Sequence, residues 1–362
     1  MVADVRYLFG DLRTNEIIAE IPCQGVTVSD SLEGGEFRAS FGLDLTGIRN
    51  DDTVSATLPG KSFAVVERNG VPIWGGIVWS RTYQSQAKIS QVYCKTMDQY
   101  SSKRFIDTDY TFTNVEQRNV FRALFAQMQA DPYSPQVVLP STFPTVAPIT
   151  GSISGAELRS YRDVFDQIST ADGGFEWRIN IGRSSNQYTW TLQIGYPVIG
   201  MPWLPSSTVF EYPGSVLNYW RNDTIGGAGT NIYGVGSGEG QDMVQVEVIH
   251  QDLLDGGFPR YDQQVTFKSI DNEAALEAVT QVQASIRKAP MPVYTVELKA
   301  DRDPKFGEWV IGDYATLSFK DPMHPGAGLN HPARILKWDY TPPSSDGTEE
   351  VRVTFEGEDA GD

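Results

Sequence analysis

The sequence predicts a mainly β protein in which two β units flank a mixed α/β insert. Three observations carry that expectation. The chain opens with short runs of alternating apolar and polar residues, the period of half-buried antiparallel strands. Between about residues 113 and 173 the period becomes that of amphipathic helices, and it then returns to alternation with one further helical stretch. Aromatic residues make up 11% of the chain, with 8 Trp and 16 Tyr, which favours pleated surfaces and large packed faces. A length of 362 residues allows two or three domains with cores that need no covalent staples.

The first strands are punctuated at Glu33-Gly-Gly-Glu36 and at Gly47-Ile-Arg-Asn-Asp51. Between these breaks Phe37, Ala39, Phe41, Leu43 and Leu45 fall on one side, while Arg38, Ser40 and Asp44 fall on the other. From Phe63 to Ser80 two β runs meet at Arg68-Asn-Gly70. Asn-Gly accepts positive φ at both central positions, so it predicts a tight hairpin whose twist suits its strands. Gly75-Gly76 then predicts a bulge or a close backbone approach, a kink flanked by Trp74 and Trp79.

Thr113-Asn-Val-Glu116 has the spacing of a capping box at the start of a helix. Val120, Phe121, Leu124, Phe125 and Met128 form its apolar stripe, and Pro132 ends it. Pro135 to Pro148 reads as loop or extended chain. A second helix opens at Ser160 with Asp163 in its first turn, carries Val164, Phe165 and Ile168, and stops at Gly173-Gly174. Phe175, Trp177, Ile179 and Ile181, followed after the turn Gly182 to Asn186 by Tyr188, Trp190, Leu192 and Ile194, predict a hairpin with one aromatic face. That face is expected to pack on the two helices.

From Val209 the chain returns to β, with Thr230 to Val235 and Met243 to Ile249 as strands joined by a glycine-rich loop. A third helix, about Asp271 to Lys288, places Leu276, Val279, Val282 and Ile286 on its apolar face; Arg287 and Lys288 suit its C-terminal dipole, and Pro290 closes it. Glu308 to Phe319, His331 to Tyr340 and Glu349 to Phe355 supply the final strands.

The net charge of −17 makes the chain a poor candidate for gripping nucleic acid, which needs clustered Lys and Arg. Cys23 and Cys94 are too few for a disulfide scaffold and have no metal spacing, so they read as reduced thiols. The N-terminus lacks signal-peptide order and no apolar run is long enough to span a membrane, so synthesis and folding in a cytoplasm are expected.

Several motifs resemble chemistry and fall short of it. Gly60-Lys-Ser62 follows Ser55 where a phosphate-binding loop needs glycine, and a strand follows where that loop needs a helix. Gly234-Val-Gly-Ser-Gly-Glu-Gly240 carries Glu239 at the last position of a dinucleotide motif and also leads into a strand, which makes it a hairpin loop. His250, His324 and His331 are scattered without metal spacing, the last two in a Pro/Gly-rich surface loop. Asp107-Thr-Asp109 and Asp301-Arg-Asp303 could bind a cation or act in acid–base chemistry, but among 46 acidic residues such pairs are expected by chance as solvated turns. No catalytic, cofactor-binding or metal-ligating residue is assigned.

The hairpin wording Val71-Pro-Ile-Trp-Gly-Gly-Ile-Val78 after Asn69-Gly70 resembles the N-terminal barrel of tail hub proteins from long-tailed (siphovirus) bacteriophages, above all minor tail proteins of phages infecting actinobacteria. Phe306-Gly-Glu-Trp-Val-Ile-Gly-Asp-Tyr-Ala-Thr-Leu-Ser-Phe319 is similar to the Gly-Asp-led strand of the second hub barrel, and the third helix lies where the family places one. The resemblance spans most of the chain in order. It implies the fold shared with the baseplate hub of contractile-tailed phages: a first β-barrel over 1–102, a mixed α/β insert over 103–208, and a second barrel within 209–362 whose boundary with the insert can interleave.

The resemblance also implies a non-enzymatic virion protein of the tail tip, a homotrimer whose two barrels per chain make a pseudo-six-fold ring. Implied partners are the distal tail protein, other tail-tip proteins and the tape-measure protein in the channel through which DNA leaves, without cofactor, membrane span or sequence-specific nucleic-acid binding. Two alternatives stand beside it. One is a tail-associated cell-wall hydrolase or free glycosidase using two carboxylates, disfavoured because the chain ends at Asp362 directly after the last strands. The other is a carbohydrate-binding tip protein using Trp203, Tyr219 and Trp220.

Overall fold

The computed structural model describes residues 3–43, 50–171, 173–184, 187–200, 208–223, 227–238, 240–267, 270, 272–288, 292–343 and 349–356. The chain forms two compact units, one from Met1–Asn218 with Val296–Thr354, the other from Tyr219–Thr295 with Phe355–Asp362.

The first unit opens with β1 (Val5–Asp11), β2 (Ile17–Glu20), β3 (Gln24–Ser31), β4 (Glu36–Gly42), the short helix α1 (Asn50–Ala56), β5 (Ser62–Arg68), β6 (Val71–Gln84) and β7 (Ile89–Thr96). Its strands pair antiparallel in the order β2-β1-β5-β6-β7-β4-β3. Phe37, Ala39 and Phe41 are buried and Arg38 is exposed, as the alternation predicts. Phe37 packs against Tyr7 at 5.9 Å and Trp74 at 5.7 Å between ring centroids. Asn69 and Gly70 have φ of 52° and 79°, the double positive turn expected between β5 and β6. Asp44, Leu45 and most of the break at Gly47 lie outside the described residues; its end, Asn50-Asp51, opens α1.

The kink expected at Gly75-Gly76 is elsewhere. Pairing runs unbroken through both glycines, Gly75 opposite Val65 and Gly76 opposite Ala64, and the register shifts of β6 fall at Pro72 to Trp74 and at Trp79. The glycines serve the other expected purpose, close approach: a Cβ on Gly76 would lie 2.1 Å from the Lys95 carbonyl oxygen.

The helix-hairpin region carries β8 (Tyr110–Glu116), α2 (Gln117–Met128), β9 (Pro148–Ile153), α3 (Tyr161–Ser169), β10 (Glu176–Ser184) and β11 (Gln187–Gly195). The expected capping box does not form. Thr113 to Glu116 end a strand, bulged between Phe112 and Val115, and α2 begins only at Gln117. Glu116 is instead buried, accepting from the amides of Val146 (2.6 Å) and Ala147 (2.9 Å) and pairing with Arg118. Ser160 does cap α3, its Oγ accepting from Asp163 N at 3.1 Å. The proline-rich chain covers an edge: Val138 N donates to Trp190 O and its carbonyl accepts from Leu192 N, at 2.8 and 2.9 Å. Ser185 and Asn186 of the hairpin turn lie outside the described residues.

The aromatic face of that hairpin has two partners where one was expected. Trp177 packs on Phe121 (5.1 Å) and Phe165 (5.7 Å) of the helices, whereas Tyr188 and Trp190 pack edge-on against Phe63 of β5 at 6.0 and 6.2 Å. One apolar core therefore runs from Leu8, Phe63 and Ile77 through Trp190 to Phe121 and Phe165.

The remaining elements are β12 (Val209–Tyr212), β13 (Val216–Asn222), β14 (Asn231–Val235), β15 (Gln245–Ile249), α4 (Gln251–Asp255), β16 (Asp262–Thr266), α5 (Glu273–Ile286), β17 (Val293–Lys299), β18 (Tyr314–Asp321), β19 (His324–Thr341) and β20 (Glu350–Phe355). In the first unit β12 runs parallel to β18, β18 antiparallel to β19, and β19 pairs with β3, with Tyr340 opposite Val28. The last strands thereby join the first sheet. The expected strand from Glu308 begins only at Tyr314, after Gly312 at φ 95°. His324 and His331 belong to β19, not to a loop, because the β18–β19 hairpin turns tightly at Asp321.

In the second unit β14 pairs antiparallel with β15 and parallel with β16, and the loop after Val235 closes the expected hairpin; Glu239 lies outside the described residues. Helix α5 packs on this sheet. Its N-cap is Asn272, which accepts from Ala275 N at 3.0 Å; Asp271 and Pro290 lie outside the described residues. Of the predicted stripe Leu276 is buried and Val279 half-buried, but Val282 is 58% exposed, and Thr280 and Ala284 are buried in addition. Gly234 is the reason: α5 sits so close that a Cβ there would be 1.9 Å from Thr280 Oγ1. Small side chains on the helix therefore face the sheet.

Candidate functional site

Charged side chains of the first unit converge on the seam between the first sheet and the helix-hairpin region. In three pairs the arginine comes from the helix-hairpin side and the carboxylate from the sheet or the turn that follows β7. Arg178 of β10 donates to Asp30 of β3 at 2.6 Å, Arg183 of β10 to Glu67 of β5 at 2.9 Å, and Arg162 of α3 to Asp98 at 2.8 Å. Glu67 is fully buried and also accepts from the Tyr188 hydroxyl at 2.6 Å. Trp190 Nε1 donates to Asn15 Oδ1 at 3.1 Å.

Burial shapes the ionisation of these groups. It pushes the Asp30 carboxyl above the usual carboxylate range, against the opposing pull of Arg178. It also raises the Tyr188 hydroxyl, helped by the bond to Glu67. A second set of pairs anchors the late strands: Glu349 accepts from Arg68 (2.6 Å) and from Tyr340 OH (2.6 Å), and Arg334 pairs with Glu176.

Two clefts open along the seam. One, of about 430 Å³, is lined by Asp30, Gly34, Asp98, Arg162, Trp177 and Thr96 among others. The other, of about 350 Å³, is walled by Trp74, Phe306, Trp309 and Trp338 with Arg178 and Asn180. Asp98 and Asp166 both hold Arg162, and Asp30 holds Arg178. A carboxylate committed to a guanidinium positions structure; the seam is built to lock one part of the unit on another.

The motifs singled out in the sequence lie away from this seam. Gly60, at φ 73°, forms a turn in which Ser62 N donates to Leu58 O at 3.0 Å, leading into β5. Asp109 accepts from Gly155 N at 2.8 Å, Asp107 accepts from Thr108 Oγ1 at 3.2 Å, and Asp301 and Asp303 are exposed. His250 Nε2 lies 3.0 Å from the Ala284 carbonyl oxygen. Cys94 is buried and Cys23 half-buried, both as free thiols; burial raises Cys23 to about 12 and Cys94 well above its ordinary value. Among the described residues no group of three or more His, Cys, Asp or Glu could hold a metal ion, and no helix is long and apolar enough to cross a membrane. Of the aromatics considered for sugar binding, Trp203 lies outside the described residues, Trp220 is 42% exposed, and Tyr219 packs on Tyr294 at 6.4 Å. The seam itself was missed in the sequence, because its partners are separated by as many as 175 residues and no local spacing announces them.

No protein-family model matches the sequence, and no curated protein matches it. Solved structures do match in fold. The 43 kDa tail protein of prophage MuSo2 from Shewanella oneidensis superimposes with a TM-score of 0.64 at 11% identity, covering 99% of each chain. The tail protein from Neisseria meningitidis MC58 gives 0.60 at 12% identity over 98% of this chain and 97% of its own. A chain of the Francisella PdpA-VgrG complex gives 0.61 at 8% identity over 98% of this chain and 53% of its own. The architecture is mainly β with few helices and resembles that of phage tail hub proteins.

Proposed function

We propose that the chain is a structural hub protein of a phage tail tip. The observation that carries this reading is the end-to-end fold match to a prophage tail protein, over 99% of both chains. The locked seam supports it: a ring component must transmit load between its parts, and buried ion pairs over a shared apolar core hold them in one geometry. Under this reading the chain belongs to a siphovirus infecting an actinobacterium, with hub barrels over 1–102 and within 209–362 and an insert over 103–208. Three copies form the ring that adapts the six-fold tube to a three-fold tip, and it neither cleaves cell wall nor binds DNA by sequence.

Its neighbours are the distal tail protein, other tip proteins and the tape-measure protein within the lumen. The net charge of −17 suits a channel that must release DNA, since basic walls would hold phosphates. A reconstruction of the tail that carries this protein tests the reading. It should show three copies around the axis, with Lys and Arg depleted on the inner wall relative to the outer surface. Six copies, a two-fold dimer or a net-positive lumen would overturn the corresponding part.

A further inference from the structure

We propose that a ladder of alternating cations and aromatic rings, Arg38–Tyr93–Lys95–Trp79 on the first sheet and Lys103 in the helical turn after β7, is a docking surface for a carboxylate-rich segment of a partner protein. A bulge builds it. Val78 pairs with Cys94 and Ser80 with Tyr93, so Trp79 is the extra residue of β6 and has no partner across the ladder of strands. A bulge re-aims the side chain it carries, and here the Trp79 indole meets both lysines, each ammonium 5.3 Å from its ring centroid. Lys95 is also 5.9 Å from the Tyr93 ring, and the Arg38 guanidinium is 4.7 Å from that same ring.

The charges are unequal in what holds them. Arg38 pairs with Glu36 at 3.0 Å, and Glu36 also takes the Tyr93 hydroxyl, which together hold its carboxyl below the usual range. Among the described residues neither Lys95 nor Lys103 makes an ion pair, although both ammoniums sit over one ring and are separated by at most twice 5.3 Å. The ring quadrupole attracts each cation, and Glu36, opposite Lys95 in the β4–β7 pair, offsets part of its charge while also being shared with Arg38 and Tyr93, which leaves the ladder with net positive charge. On a chain of net charge −17, two such adjacent cations are a local reversal of sign.

The chemistry selects the kind of anion. Single-stranded nucleic acid is gripped by stacking bases on aromatic faces as well as by charge. Here the rings of Trp79 and Tyr93 are engaged by cations, which leaves charge as the feature on offer. A long polyanion would in addition meet the repulsion of the whole chain, whereas a short acidic protein segment meets mainly the ladder. The inference does not depend on the tail reading.

The test titrates the full chain with poly-L-glutamate by calorimetry, beside the double variant Lys95→Glu with Lys103→Glu and the milder Lys95→Gln with Lys103→Gln, each checked for fold by circular dichroism. Wild type should bind, the charge-reversed variant should bind about tenfold or more weakly, and raising salt from about 0.05 to about 0.3 M should weaken wild-type binding. The glutamine variant should fall between the two. An oligothymidylate should bind more weakly than polyglutamate. Absence of wild-type binding, equal affinity in a folded glutamine variant, or tighter binding of the oligothymidylate would overturn the proposal.

Discussion

Trp190 stands where a side chain at position 75 would have to go: a Cβ on Gly75 would lie 3.0 Å from its Cη2 and 2.5 Å from Ile181 Cδ1. The two residues belong to β6 and β11, and their approach brings the hairpin of the helix-hairpin region onto the first sheet. Gly75 is thus a packing requirement set by chain far downstream.

The neighbouring glycine is held more tightly. At Gly76 the obstacle is backbone, the Lys95 carbonyl oxygen at 2.1 Å, while at Gly75 it is side chain. Side chains can shift and a paired strand cannot. Gly75→Ala should cost about 1–3 kcal/mol and Gly76→Val should exceed it, as overpacking without room to relax. Urea unfolding of both variants checks the order; a Gly76→Val protein as stable as wild type would refute the close-approach account.

The pair Asp30–Arg178 should show the asymmetry of buried charges. Arg178→Met leaves a carboxylate in the seam and should cost about 3–5 kcal/mol, whereas adding Asp30→Leu should recover much of that loss. Burial raises the folded value for Asp30, so its contribution to stability is full at acid pH and is lost as pH rises through that value. Removing Arg178 deepens this loss, and the destabilisation should therefore be greater at pH 7 than near pH 4. Denaturant melts of wild type and the two variants at both pH values measure it.

Glu116 should respond with the opposite sign. Burial pushes its carboxyl up, but Arg118 and the amides of Val146 and Ala147 together pull it below the usual carboxylate range. Its contribution is present above the unfolded value of about 4.3 and is lost as pH falls through the lower folded value. Glu116→Gln should destabilise at pH 7, with a gap to wild type that narrows as the protein is titrated toward pH 3. Thermal melts across that range would show the convergence.

In the second unit, Gly234→Ala should cost about 1–3 kcal/mol, because the new methyl group meets Thr280 Oγ1. Adding Thr280→Ala removes that oxygen and should restore part of the loss. Additive effects in the double-mutant cycle would show that the two sites do not touch.

Legibility in the sequence followed the range of the forces involved. The Asn69-Gly70 turn, the alternation of Phe37, Ala39 and Phe41 and the Ser160 cap were readable because each is decided within a few residues, by φ preference, pleat or one hydrogen bond. The capping box at Thr113 failed although its spacing was right. Glu116 satisfies amides thirty residues away at Val146 and Ala147, which outweighed a local cap and kept the chain extended to that point. The stripe of α5 was read in part: Leu276 is buried as its period predicts, but the close approach of Gly234 puts Thr280 against the sheet, and Val282 is left exposed.

By itself the sequence determined the class of the protein: strands, two early helices, a late helix and the turns between them follow from apolar periodicity and from Gly, Pro and Asn, all short-range preferences of the backbone. Tertiary structure decided what those elements do for one another. It set Arg178 on Asp30 and Arg183 on Glu67, and it made Trp79 a bulge between two lysines. Such pairings are chosen by packing across the folded unit, where burial makes an unpaired charge too costly to keep, and no spacing along the chain records that cost.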